Sequence, residues 1–138
     1  MIDDFRGKYY FLSNFYSADV EYLGIIYKNN EAAFQSQKDI SRSIEFANLS
    51  ASDAKRLGRR VKLSSDWELV RDNIMEEIVR AKFIQHDSLK DALLSTGDEV
   101  LIEGNTWGDT YWGKCNGVGK NKLGKILMEI RTELKMLP

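Results

Sequence analysis

The sequence predicts one globular domain that mixes helices with short strands. Three observations carry that reading: apolar stripes at helical spacing, two short runs rich in β-branched and aromatic residues, and a composition fit for one packed core. Hydrophobic residues make up 43% and charged residues 30% of 138, which excludes a disordered or low-complexity chain. No repeat and no linker-like stretch interrupts it, so residues 1–138 are expected to form one domain.

The elements follow in order. Residues 9–16, YYFLSNFY, are aromatic-rich with Ser13-Asn14 interrupting, and residues 20–27, VEYLGIIY, have the residue types of a strand. Asn29-Asn30 turn the chain. EAAFQSQKDI then lacks Gly and Pro and predicts a helix, with Asn30 as its N-cap and Glu31 at the positive end of the helix dipole. Shorter helical pieces are expected through IEFANL and SDAKRLGRR. Ser65-Asp66-Trp67-Glu68 fits a capping box, Ser65 capping and Glu68 reaching back. The helix it opens carries Trp67, Val70, Ile74, Ile78 and Ala81 on one face. DSLKDALLST predicts a further helix stopped by Gly97, and EVLIE at 99–103 predicts a strand. Residues 104–121, GNTWGDTYWGKCNGVGKN, combine many glycines with three large aromatics and fit neither periodicity, so they read as a loop. Leu123, Ile126, Leu127, Ile130 and Leu134 space a buried stripe on a C-terminal helix.

Charge and cysteine usage narrow the function. Twenty Lys+Arg against 21 Asp+Glu argue against a large, unspecific nucleic-acid footprint. Cys115 and His86 are each the only residue of their type, which disfavours a disulfide framework, a zinc site and a Ser-His-Asp triad. No apolar run approaches the roughly 18 residues that span a bilayer, and the first residues do not resemble an export signal. A soluble, cytoplasmic protein without a membrane partner is expected.

Four constellations could carry chemistry. Glu31, Gln35 and Lys38 fall on one helix face, as a solvated polar stripe or as an acid, amide and amine lining a cleft. Asp109 stands among Trp107, Tyr111 and Trp112, aromatics that either plug the core or wall a pocket for a planar group. Gly113, Gly117, Gly119 and Gly124, with Asn116 and Asn121, match neither dinucleotide-binding nor P-loop spacing, so they serve turns or a phosphate cradle. Lys55, Arg56, Arg59, Arg60 and Lys62, with Lys114, Lys120, Lys122 and Lys125 later, are either charged surface or a site for an anionic, phosphorylated ligand.

Taken together, FLSNFY (11–16), EAAFQSQK (31–38), GRRVKLSSDW (58–67), KFIQH (82–86), LLSTGDEVLIEGNTWGDTYWG (93–113) and GKNKLGKILMEIR (119–131) resemble the YbiA-like, or NADAR, family over nearly the whole chain. The resemblance implies an α+β, mainly helical N-glycosidase domain with a small β-element, which cleaves a bond between ribose C1′ and nitrogen. It implies two substrate classes: phosphorylated ribosylaminopyrimidines of riboflavin synthesis, and ADP-ribose on guanine, including guanine in nucleic acid. Carried over by motif, Glu31, Trp67, Asp109 and Trp112 are active-site positions, with Lys38 a candidate for covalent chemistry. Asn14, Gln35, Asn121 and Lys62 are further substrate-binding candidates. Ala32 and Phe34 stand where the family's EHxYQ segment often has histidine and tyrosine, a departure that bears on substrate choice more than on reaction class.

Cleaving the C1′–N bond builds positive charge on the ribose. Glu31 or Asp109 would stabilise it and activate water, while Trp67 and Trp112 stack on the base or shield the sugar. In a competing route Lys38 attacks C1′ and forms a Schiff base, which requires its pKa to be lowered by burial or a neighbouring cation. Neither route needs a cofactor or metal. The rival of another class is a non-catalytic module that binds ADP-ribose or a related nucleotide. The two carboxylates and Lys38 favour the enzyme, because a binder of anionic phosphates gains nothing from acids beside its ligand.

Overall fold

A computed structural model describes the whole chain, Met1–Pro138. Its residues cluster into two compact units, Asn14–Gln85 and the combination of Met1–Ser13 with His86–Pro138. As expected of an α+β, mainly helical chain, five α-helices and two 3-10 helices dominate and the strands are short.

In the unit Asn14–Gln85, the single strand expected at 20–27 is instead a hairpin. Strands β1 (Ser17–Tyr22) and β2 (Ile25–Asn29) pair antiparallel, Val20 against Tyr27 and Tyr22 against Ile25. Leu23 and Gly24 between them both adopt positive φ, +49° and +86°. That conformation suits a two-residue hairpin turn, which glycine allows and a leucine makes hard to anticipate. Val20 and Tyr27 are completely buried.

Helix α1 (Asn30–Ser36) follows directly, and all seven of its residues are buried. Its cap is Asn29 rather than Asn30: the extended Asn29 accepts the Ala32 N–H on its side chain at 2.7 Å and donates to the Leu49 carbonyl at 3.1 Å. The last residue of β2 already has the extended backbone that a cap needs, so the boundary moves by one. The helical pieces expected next are a 3-10 helix (Ile40–Phe46) and helix α2 (Ala51–Gly58), the latter capped by Ser50.

Helix α3 (Trp67–Gln85) begins at Trp67 without the capping box centred on Ser65. Ser64 donates to the Asp66 carboxylate at 3.0 Å, and the Ser64 carbonyl accepts the Trp67 N–H. Trp67 and Ile78 of the expected stripe are buried, whereas Val70, Ile74 and Ala81 are half-buried. Met75, Val79, Lys82 and Phe83 complete the buried face. The helix packs against both α1 and β1, and that double contact rotates and widens the face it hides.

In the second unit, Ile2 pairs with Leu101, reducing the strand expected at 99–103 to a parallel bridge. Helix α4 (Asp87–Ser95) ends at Thr96, and Gly97 takes the left-handed turn with φ +63°. Helix α5 (Lys122–Lys135) packs on α4 and buries all five stripe residues from Leu123 to Leu134. Between them, the two-residue strands β3 (Gly104–Asn105) and β4 (Lys114–Cys115) pair in parallel.

Candidate active site

Burial decides how the first constellation should be understood. Glu31 is 9% exposed and Gln35 6%, which excludes a solvated polar stripe, because ionisable and amide groups are rarely this buried without a task or a partner. Gln35 Nε2 donates to Glu31 Oε1 at 3.3 Å across one helical turn. Lys38, just past the helix, is half-buried. Burial lowers its pKa, the Glu31 carboxylate opposes that shift, and the cations Arg59, at the end of α2, and Lys55, within it, lower it further. The amine is therefore more readily neutral than an ordinary lysine, the condition for nucleophilic use.

The chain around α1 fixes these groups from several sides. The Asn14 carbonyl accepts the Glu31 N–H at 3.0 Å, while the Asn14 amide donates to Met75 sulfur and accepts from Asn30 at 3.4 Å. The Lys38 carbonyl accepts the Ser64 N–H at 2.9 Å, tying the approach to α3 to the end of α1. Trp67 lies against Phe34, ring centres 5.1 Å apart and planes tilted by 53°, and is 6% exposed. This unit thus brings Glu31, Gln35 and Lys38 together on and beside α1, with Asn14 at its start and Trp67 against its flank. Lys62 lies exposed in the segment between α2 and α3.

Sequence reasoning missed two residues in this unit. Gly58 of α2 leaves the space that the Gln35 carboxamide fills; a Cβ there would overlap Gln35 Oε1. The first letter of GRRVKLSSDW was the available signal. Lys82 is 1% exposed, with its ammonium nitrogen 5.3 Å from the Tyr16 ring centre and 5.1 Å from that of Phe83. Burial lowers its pKa to about 7. A lysine inside an amphipathic pattern gives no hint of this.

The glycine-rich segment belongs to the other unit and is an ordered loop held by its own side chains. Asn105 donates to the Asp109 carbonyl at 2.9 Å and to the Glu103 carboxylate at 3.0 Å, and it accepts the Asp109 N–H at 3.1 Å. Asp109 Oδ1 accepts the N–H groups of Tyr111 (3.1 Å) and Trp112 (2.9 Å). Tyr111 and Trp112 are half-buried and meet edge to face at 4.8 Å, and Lys120 and Lys122 stand over the Tyr111 ring. Trp107 is 59% exposed, so it does not plug a core. Asn121 is buried in the left-handed conformation, φ +53°. Its side chain accepts the Glu103 N–H and donates to the Leu101 carbonyl, each at 2.9 Å, joining the start of α5 to the chain before β3.

No three His, Cys, Asp or Glu side chains gather as ligands to a metal would. No helix is long and apolar enough to cross a membrane.

The NADAR domain model matches residues 3–135, and the match spans both units. N-glycosidase YbiA of Shigella flexneri is 40% identical over 128 residues, covering 88% of this chain and 79% of that protein. A riboflavin biosynthesis protein of Vibrio vulnificus is 37% identical over 131 residues, 91% of this chain but 35% of that larger protein. The NMR structure of Escherichia coli YbiA superposes with a TM-score of 0.84 at 36% identity, covering 99% of this chain and 88% of that one.

Proposed function

The chain belongs to the NADAR domain family, and we propose that it is an N-glycosyl hydrolase acting as one domain over residues 1–138. Its substrate in this reading is anionic, either a phosphorylated ribosylaminopyrimidine or an ADP-ribosylated guanine, the latter free or in nucleic acid. The names of the relatives support the reaction class. The observation that carries the proposal is the buried carboxylate of Glu31 beside a half-buried Lys38 whose pKa is lowered by burial.

Glu31 is the carboxylate that stabilises the developing charge at C1′ and directs water to it, as the nitrogen base departs with its bonding electrons and takes up a proton. Trp67 shields this side of the sugar, and Lys55, Arg59 and Lys62 supply positive charge for phosphate. Asp109 holds the backbone of Tyr111 and Trp112 through the two N–H groups it accepts. No cofactor takes part in these steps.

The lowered pKa of Lys38 supports a second route. Its neutral amine adds to C1′ and the C1′–N bond to the base breaks. The ring oxygen leaves C1′ as an imine forms, and water then releases the sugar and regenerates the amine. Borohydride would trap this imine as a stable adduct that Lys38→Ala lacks, whereas the first route yields none.

The test is release of free base, read by chromatography with mass detection, from a ribosylaminopyrimidine phosphate and from ADP-ribosylated guanosine. Release from one of them that is lost in Glu31→Ala is the expected result and identifies the substrate class. Tight binding of either compound without release would make the protein a nucleotide-binding module instead.

A further inference from the structure

The arrangement of α1 on α2 gives Gln35 a role that its place in the motif does not disclose. Its carboxamide is buried, its Nε2 donates to Glu31 Oε1 at 3.3 Å, and its Oε1 has no hydrogen-bond partner. A buried acceptor without a partner is costly, and an amide able to turn over would ordinarily seek one. Two features hold it in place. Reversing the amide would set its oxygen against the Glu31 carboxylate, acceptor facing acceptor. Gly58 of α2 meanwhile leaves the space that Oε1 occupies, because a Cβ at that position would overlap both Oε1 and the amide carbon.

We propose that Gln35, clamped by Gly58, is a positioning residue that fixes the Glu31 carboxylate in one orientation as the anion. This role rests on the reading of Glu31 as the reacting carboxylate. The physical basis is that a hydrogen bond donated to the charged form of an acid stabilises that form and restricts its rotamer. One cation that acts with Glu31 is Lys38, itself flanked by Lys55 of α2 and by Arg59 at the end of that helix, and all three remain in the variants below. A difference between variants and wild type therefore reports the amide and not a lost cation.

The role predicts an effect that simple packing would not produce. Gln35→Met keeps the length of the side chain and removes the donor. Gly58→Ala keeps Gln35 and displaces its amide from the space that Oε1 fills. The Glu31 carboxyl is followed by NMR in full-length protein labelled with 13C at glutamate side chains, with the resonance assigned by its disappearance in Glu31→Gln. Both variants should move its titration midpoint up by about 0.5 to 1 in pH. Where base release is measurable, they should lower kcat about tenfold, leave KM within about twofold and shift the acid limb of the rate profile by the same amount.

A midpoint unmoved in folded Gln35→Met overturns the proposal, and that variant decides the matter even where Gly58→Ala does not fold. The titration needs no substrate. Absence of base release from the wild type would overturn the proposed reaction instead, leaving the measured Gln35–Glu31 coupling to be judged by itself.

Discussion

Helix α1 and the loop 104–121 each carry a candidate carboxylate, and the two carboxylates have opposite surroundings. Glu31 lies in a helix with every residue buried, where it touches side chains: Gln35 by hydrogen bond and Lys38 by charge. Asp109 lies in a loop of short strands and turns, where its Oδ1 accepts two backbone N–H groups that no helix or sheet satisfies. In the first region secondary structure satisfies the backbone and leaves the side chains available for chemistry. In the second the side chains of Asn105, Asp109 and Asn121 replace secondary structure and hold the backbone. Two acids that look equivalent in the sequence thus have different partners, side chains for Glu31 and backbone for Asp109.

Substitutions that keep shape but change chemistry should separate the two regions most strongly. Glu31→Gln is expected to lower base release by about 10²- to 10⁴-fold, the range for loss of a general acid or base. Asp109→Asn keeps an oxygen for the Tyr111 and Trp112 amides and is expected to lose far less, while Asp109→Ala, which removes that acceptor, should lose more than Asp109→Asn. Equal inactivity of Glu31→Gln and Asp109→Asn in steady-state assays would break the comparison and make both acids chemical.

The buried polar character of the unit Asn14–Gln85 can be sharpened through Lys82. Its folded pKa of about 7 lies below the unfolded value of 10.5, so between these the unfolded chain binds the extra proton. Stability should therefore rise with pH across that window, with a limiting slope of about 1.4 kcal/mol per pH unit from this residue. Lys82→Met should flatten the rise and be the more stable protein near pH 7, as judged by urea unfolding at several pH values. An unchanged slope would remove Lys82 from this account.

The smallest expected effect lies at the edge of the α1 site. Arg59 is one of two cations that lower the Lys38 pKa, and its contribution is smaller than that of burial. Arg59→Ala should move the pH at which the borohydride adduct accumulates upward by a few tenths, because the neutral amine then appears at higher pH. An adduct with an unshifted profile would mean that burial alone tunes Lys38.

Much of this organisation is legible in the chain. The C-terminal stripe from Leu123 to Leu134, the stop at Gly97 and the placing of Glu31 and Gln35 one turn apart follow from helical period and left-handed backbone geometry, which are local properties, whereas the helix expected through Lys38 ends at Ser36. The motifs also identify the family, because their order and spacing persist through sequence change. The hairpin turn at Leu23-Gly24, the cap at Asn29 and the turned face of α3 were not legible, because each depends on what the neighbouring element offers: a paired strand, an already extended residue, a second packing partner.

Tertiary structure alone decided which polar residues are enclosed. Periodicity puts Glu31 and Gln35 on one side of α1, with Lys38 just past its end, but it is the packing of neighbouring elements, α2 and its Gly58 against Gln35 among them, that encloses these groups. Spacing is set by the geometry of one helix, whereas burial, and with it the pKa of an amine or the clamping of an amide, is set by what closes over that helix.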